Sequence, residues 1–110
     1  MSIKERIKTI EDTIQKKWNV CDRLHTLLDM VPIIAEIKQI KGIVGNDGED
    51  AVALDDVIRQ LTARIEGEHE IADMECNSCV LSGSDGEVKA WWDSVYSTSD
   101  DLLCELSYIH

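Results

Sequence analysis

The residues whose types and spacing could do chemistry fall into two constellations. Cys76-x-x-Cys79 places two thiols at a spacing that can chelate one zinc ion, and Cys21-x-x-x-His25 offers two more ligands from adjacent turns of one helix. Together, Cys21, His25, Cys76 and Cys79 would make a tetrahedral Cys3His set. In the competing reading, Cys21 belongs to an apolar seam and Cys76 and Cys79 are small buried groups. Redox use of the Cys-x-x-Cys pair would need a βαβ context, and the pattern lacks one. The second constellation joins Asp22-x-x-His25 to Glu66-x-x-His69, the carboxylate–histidine spacing that holds two metals between facing helices. Here Asp replaces Glu in one half, Gly67 interrupts the other, and Asp22 and His25 lie beside the apolar seam, so a solvated face is the simpler reading.

Other chemistry has less support. The hydroxyls at Ser97–Ser99 read as helix caps, and one of the three histidines, His110, is terminal. No glycine-rich phosphate loop follows a strand. The acidic turn Asn46–Asp50 lacks the ligand order of an EF-hand. The chain is therefore expected not to be an enzyme and to hold no cofactor, with zinc as the alternative.

The elements that must carry these residues read as helices. One Pro and six Gly in 110 residues force few breaks, and 44% apolar residues suffice for one core in a single domain, 1–110. Ser2 and Glu5 form a capping box. Ile3, Ile7, Ile10, Ile14, Cys21, Leu24, Leu28 and Val31 then follow a heptad-like seam, which predicts one long helix from about Ile3 to Met30. Pro32 is expected to stop it and to open a second helix, with Ile33, Ile37, Ile40 and Val44 on one face and an end at Gly45-Asn46. A third helix starts between Asp50 and Asp55 and uses Leu54, Val57, Ile58, Leu61 and Ile65. Residues 69–81 are open between helix and a short hairpin. Ser82–Gly86 is the best loop, and Ser84 with Glu87 repeats the capping pattern before Val88, Trp91, Trp92 and Val95. Ser97–Asp101 either interrupts that helix or caps a last one. The expected fold is an all-α bundle of four to five helices.

Charge is the strongest functional signal. Residues 1–45 carry eight Lys/Arg against six Asp/Glu, whereas residues 46–110 carry three against sixteen, a split of +2 and −13 that sums to the net −11. Such a field repels nucleic acid and anionic membrane and attracts basic surfaces. The early lysines and arginines are matched by Glu5, Glu11 and Asp12, which disfavours direct nucleic-acid binding. No apolar run reaches the length of a membrane span and Met1–Arg6 has no signal-peptide character, so a cytoplasmic location is expected. A charge run is most often a solvated face. In the sharper reading the carboxylates are spaced like phosphates and occupy the groove of a basic protein. Thirteen excess charges at one per about 1.7 Å imitate about 22 Å of duplex axis, enough to block a local groove.

The stretch Asp56-Val57-Ile58-Arg59-Gln60-Leu61-Thr62-Ala63-Arg64-Ile65 resembles a helix of the Ocr anti-restriction proteins of phages, a small, acidic, helical, dimeric family that mimics DNA. The resemblance covers ten residues, and the chain departs from the family in its slightly basic first part and its Leu102–His110 end. It implies a phage-borne inhibitor. The leading expectation is a non-enzymatic acidic protein of the anti-CRISPR or anti-restriction type that binds a basic protein or nucleoprotein. Its expected contacts are Glu66, Glu68, Glu70, Asp73, Glu75, Asp85, Glu87, Asp93, Asp100 and Asp101, with Trp91 or Trp92 as an anchor. The alternatives are a helical assembly protein that forms a homodimer through the Ile3–Val31 seam, or a small zinc-binding domain.

Overall fold

In the computed structural model, which describes residues 2–83 and 86–109, four helices run alternately up and down. They are α1 (Ile3–Lys17), α2 (Arg23–Val44), α3 (Glu49–Ser82) and α4 (Gly86–Ser107). Helices α1 and α4 each pack against both α2 and α3, which also touch each other. The cross-section is therefore a diamond, with α2 and α3 facing outward on opposite sides. The molecule measures 52 × 24 × 16 Å.

The first helix begins as expected, with Ser2 Oγ accepting the Glu5 N–H at 3.2 Å. It does not run to Met30. Trp18 is extended, and residues 18–22 form a link between two antiparallel helices. The link is set by side chains that mimic backbone. Asn19 Oδ1 accepts the Cys21 N–H at 2.9 Å, while the buried Thr26 hydroxyl accepts from Asn19 N–H and donates to Asn19 O, both at 3.1 Å. The seam is thereby split. Ile7, Ile10 and Ile14 are buried in the molecule's own core, whereas Cys21, Leu28 and Val31 are exposed. A second chain could not pair along the whole Ile3–Val31 seam, because its first half is already covered.

Pro32 lies inside α2 and does not end a helix. Its missing N–H leaves the Leu28 carbonyl without a helical partner. Leu28 and Pro32 are both exposed, so water can reach that carbonyl. The stretch 69–81 is helix throughout, not hairpin. Leu61, Ile65, Glu68, Ala72 and Cys79 are all buried and continue one inward stripe of α3. Likewise Ser97–Asp101 does not interrupt α4. All five residues are helical, and Ser99 Oγ donates to Tyr96 O at 2.9 Å, so its hydroxyl is satisfied within the helix. Ser84, expected to cap α4, lies outside the described residues.

The core is aliphatic. Leu27, Met30, Ile37, Ile40, Leu54, Leu61 and Ile65 are completely enclosed, each contributing about 1.5–3 kcal/mol relative to exposure. No helix is long and apolar enough to cross a membrane among the described residues.

Candidate acidic interface

Charge is distributed by helix. The third helix carries nine Asp/Glu against two Arg, and α4 five against one Lys. Their geometry separates these acids into three groups. Glu66, Glu70 and Asp73 follow each other along the outer face of α3, the side turned away from α2. Asp93 and Asp100 border the same surface from α4, because Asp93 accepts from Cys76 and Asp100 lies 3.5 Å from His69 Nε2. These five carboxylates form one strip. No ion pair reaches Glu66, Glu70 or Asp73 among the described residues, whereas Lys89 pairs with Asp93 at 2.9 Å.

The remaining expected contacts lie elsewhere. Glu68 is 7% exposed and pairs with Arg23. It falls on the inward stripe with Ile65 and Ala72, so it is a structural tie between α2 and α3 and not a contact for a partner. Glu75, Glu87 and Asp101 are exposed, but at about 100° per residue each is turned well away from the strip. Asp101 lines the groove between α2 and α4 with Val31, Ile34 and Lys38. Asp85 lies outside the described residues.

The strip continues onto a two-helix arm. Arg23, at the start of α2, is level with Glu68, and α3 continues to Ser82, about 21 Å further at 1.5 Å per residue. Over that length its partner is the first part of α4. Ala72 and Cys79 are buried there among the described side chains, and larger apolar groups are left partly in solvent: Met74, Val88 and Trp91, the last 37% exposed. Trp91 stands edge-on to Trp92, with ring centroids 4.7 Å apart, and Trp92 packs on the core. One tryptophan inside and one at the surface is the arrangement expected of an adjacent pair on a helix. The exposed Met74 and Val88 do not emerge from the sequence pattern as surface anchors. For Met74 a signal exists: continued at about 100° per residue, it falls on the side of α3 opposite Leu61 and Ile65.

The metal constellations do not assemble. Cys21 is exposed on the α1–α2 link, and His25 is exposed and lies 3.5 Å from Asp29. Among the described residues no group of three or more His, Cys, Asp and Glu is placed to hold a metal. Cys76 serves the arm differently: its Sγ–H donates to Asp93 Oδ1 at 3.2 Å. Burial pushes the thiol up to about 11, with the Asp93 hydrogen bond and charge adding to the effect. Asp93 is held below the usual carboxylate range by its hydrogen bonds from Lys89 and then Cys76, and Lys89 is raised by the same pairing. The Glu66–His69 half-motif is also divided, with Glu66 outward and His69 stacked on Tyr96 at 4.3 Å between centroids.

The arrangement can present negative charge beside an exposed apolar side chain, Met74. No protein-family model, curated protein or solved structure matches the chain.

Proposed function

We propose that this chain is a non-enzymatic binding protein whose acidic strip occupies a basic, nucleic-acid-binding surface of a partner protein or nucleoprotein. The observation that carries this reading is the strip itself: Glu66, Glu70, Asp73, Asp93 and Asp100 on one surface, with Lys89 as its paired lysine. The α3 and α4 stretches each span about 10 Å, so with Asp93 neutralised the strip carries roughly one net charge per 2.6 Å. Duplex DNA carries one per about 1.7 Å. This density supports occupation of a short groove. Met74, about 40° around α3 from Glu70, supplies the desolvated contact that charge alone does not give, since binding energy concentrates on buried anchors, whereas Trp91 lies on the side of α4 opposite Asp93 and Asp100.

Within this reading the finer class is an inhibitor of a host defence nuclease or nucleoprotein carried by a phage or mobile element, of the anti-restriction or anti-CRISPR type. The Ocr-like window Asp56–Ile65 lies in α3 just before the strip, which is consistent with that class. The test is a triple reversal, Glu66→Lys, Glu70→Lys and Asp73→Lys, on residues whose exposure keeps the fold intact. Immobilised wild type is expected to retain a nucleic-acid-binding protein from an extract of the source cells at low salt and to release it as salt rises. The triple variant is expected to retain about tenfold less, corresponding to about 1.4 kcal/mol. Equal retention by both proteins would refute the reading.

A further inference from the structure

Within the acidic strip one buried polar atom is left without a partner. His69 Nε2 is enclosed and makes no hydrogen bond among the described residues, although Asp100 Oδ1 stands 3.5 Å away across the α3–α4 contact. That separation is too long for a good hydrogen bond, and a small movement closes it. The Asp100 side chain is more than half exposed and free to make that movement. The imidazole is held from α4, with the His69 and Tyr96 ring centroids 4.3 Å apart. The His69 side chain keeps 26% of its surface, so with Nε2 enclosed its solvent contact lies at its other atoms. The charged groups around the ring are mostly acidic. On α3, Glu66 lies three residues before it and Asp73 four after, on the same side of the helix, and Glu70 is turned about 100° away. On α4, Asp100 adjoins the ring and Asp93 lies three residues before Tyr96, paired with Lys89. The nearby cations are engaged elsewhere: Arg23 of α2 with Glu68, and Arg64 over the Trp18 ring at the end of α1.

We propose that His69 and Asp100 form a proton-operated latch that sets the charge of the acidic strip. The inference rests on the reading of that strip as the face that holds a cationic partner. Histidine is the side chain whose charge ordinarily changes between about pH 8 and pH 5. In the neutral ring one nitrogen carries no proton, and in the charged ring both are donors. Protonation therefore makes Nε2 a donor that faces the Asp100 carboxylate, and the pair closes to a charge-assisted hydrogen bond. The proton is taken from solvent and returned to it, and no other bond forms or breaks. Two consequences follow. The five carboxylates of the strip less Lys89 give −4, and the charged ring lowers this to −3. Asp100 is also drawn toward α3, away from a partner's cations. The strip thus holds a basic partner firmly near neutral pH and releases it as the medium turns mildly acidic.

Two measurements on the full chain test this. The first is an NMR titration of wild type from about pH 7.5 to about pH 5.5, which needs no variant to fold. The Asp100 carboxyl carbon signal is expected to move in step with the His69 ring signals. An Asp100 signal that ignores the His69 titration would overturn the latch, whatever the chain binds. The second uses fluorescein-labelled octalysine as the cationic probe, whose charge does not change over this range. Its affinity for wild type is expected to fall about threefold across the range, the scale of one exposed charge pair. His25→Gln, on α2, should keep that fall, and His69→Gln, with helical circular dichroism as its fold check, should lose it. An equal fall in wild type and His69→Gln would overturn control of the strip by His69. Octalysine that binds at neither pH, while Asp100 still follows His69, would refute the strip as a cation-binding face and support the latch, so the two failures are distinguishable.

Discussion

Removing Arg23 should cost more than removing the acid it pairs with. Glu68 is 7% exposed, whereas the Arg23 side chain keeps 21% of its surface. In Arg23→Met the carboxylate remains enclosed by α2, α3 and their neighbours without a counter-charge. Breaking a buried pair in this way costs about 3–5 kcal/mol, and the partial exposure of Arg23 places this case at about 3 kcal/mol. In Glu68→Leu the guanidinium left behind can swing toward water on its flexible stem, which limits the loss to about 1–2 kcal/mol. The double variant leaves no buried charge and is expected within about 1 kcal/mol of wild type. The assay is urea unfolding at pH 7, analysed as a double-mutant cycle with a coupling of at least about 2 kcal/mol. At a slope of about 2 kcal/mol per molar, Arg23→Met should lower the midpoint by about 1.5 M. A change of less than about 0.3 M would refute the reasoning that Glu68 is a structural tie. So would a Glu68→Leu protein that folds normally yet loses partner retention as the Lys reversals do.

Three further outcomes follow from the fold and the arm. Pro32→Ala restores an N–H for the Leu28 carbonyl, and thermal unfolding should show a gain of about 1–2 kcal/mol; an unchanged melting temperature would contradict the assigned helix interior. Leu61→Ala empties a completely enclosed site and should cost about 3–4 kcal/mol in urea unfolding, and a loss below about 1 kcal/mol would contradict its place in the core. The Cys76 thiol is raised from 9.0 to about 11 in the folded protein, so the folded state holds its proton more tightly than the unfolded chain. The resulting stability is complete below pH 9 and lost as pH rises toward 11. The difference in urea midpoint between wild type and Cys76→Ala should therefore shift across that window. Asp93→Ala removes two of the causes but not burial, so iodoacetamide labelling of Cys76, followed by mass spectrometry, should quicken without matching the unfolded chain.

Much of the architecture was legible because it rests on periodicity and charge. The aliphatic positions Ile33, Ile37 and Ile40, and Leu54, Val57, Ile58, Leu61 and Ile65, are buried as their spacing predicts. What could not be read was where local hydrogen bonds override that pattern. Asn19 and Thr26 break the first helix without a Pro or Gly, through a contact between residues seven apart. Pro32 looks like a boundary in the sequence, but its exposed face tolerates the lost hydrogen bond. The hydroxyls of Ser97–Ser99 resemble caps in a linear reading, yet Ser99 bonds back to Tyr96 inside α4. Within the acidic segment, charge alone could not distinguish Glu68 from Glu66 and Glu70. Only its alignment with Ile65 and Ala72 on one side of α3 assigns it inward, and that alignment is visible once residues 69–81 are helix.

The central claim is that the α3–α4 strip stands in for the phosphates of a nucleic acid on a basic partner. Its most direct test is competition: a partner held by the immobilised chain is challenged with short duplex DNA at constant ionic strength. The account expects the DNA to displace the partner in proportion to its concentration, the apolar contacts of the arm being unable to hold it alone. A partner that binds duplex DNA and this chain at the same time, each without effect on the other, would contradict it.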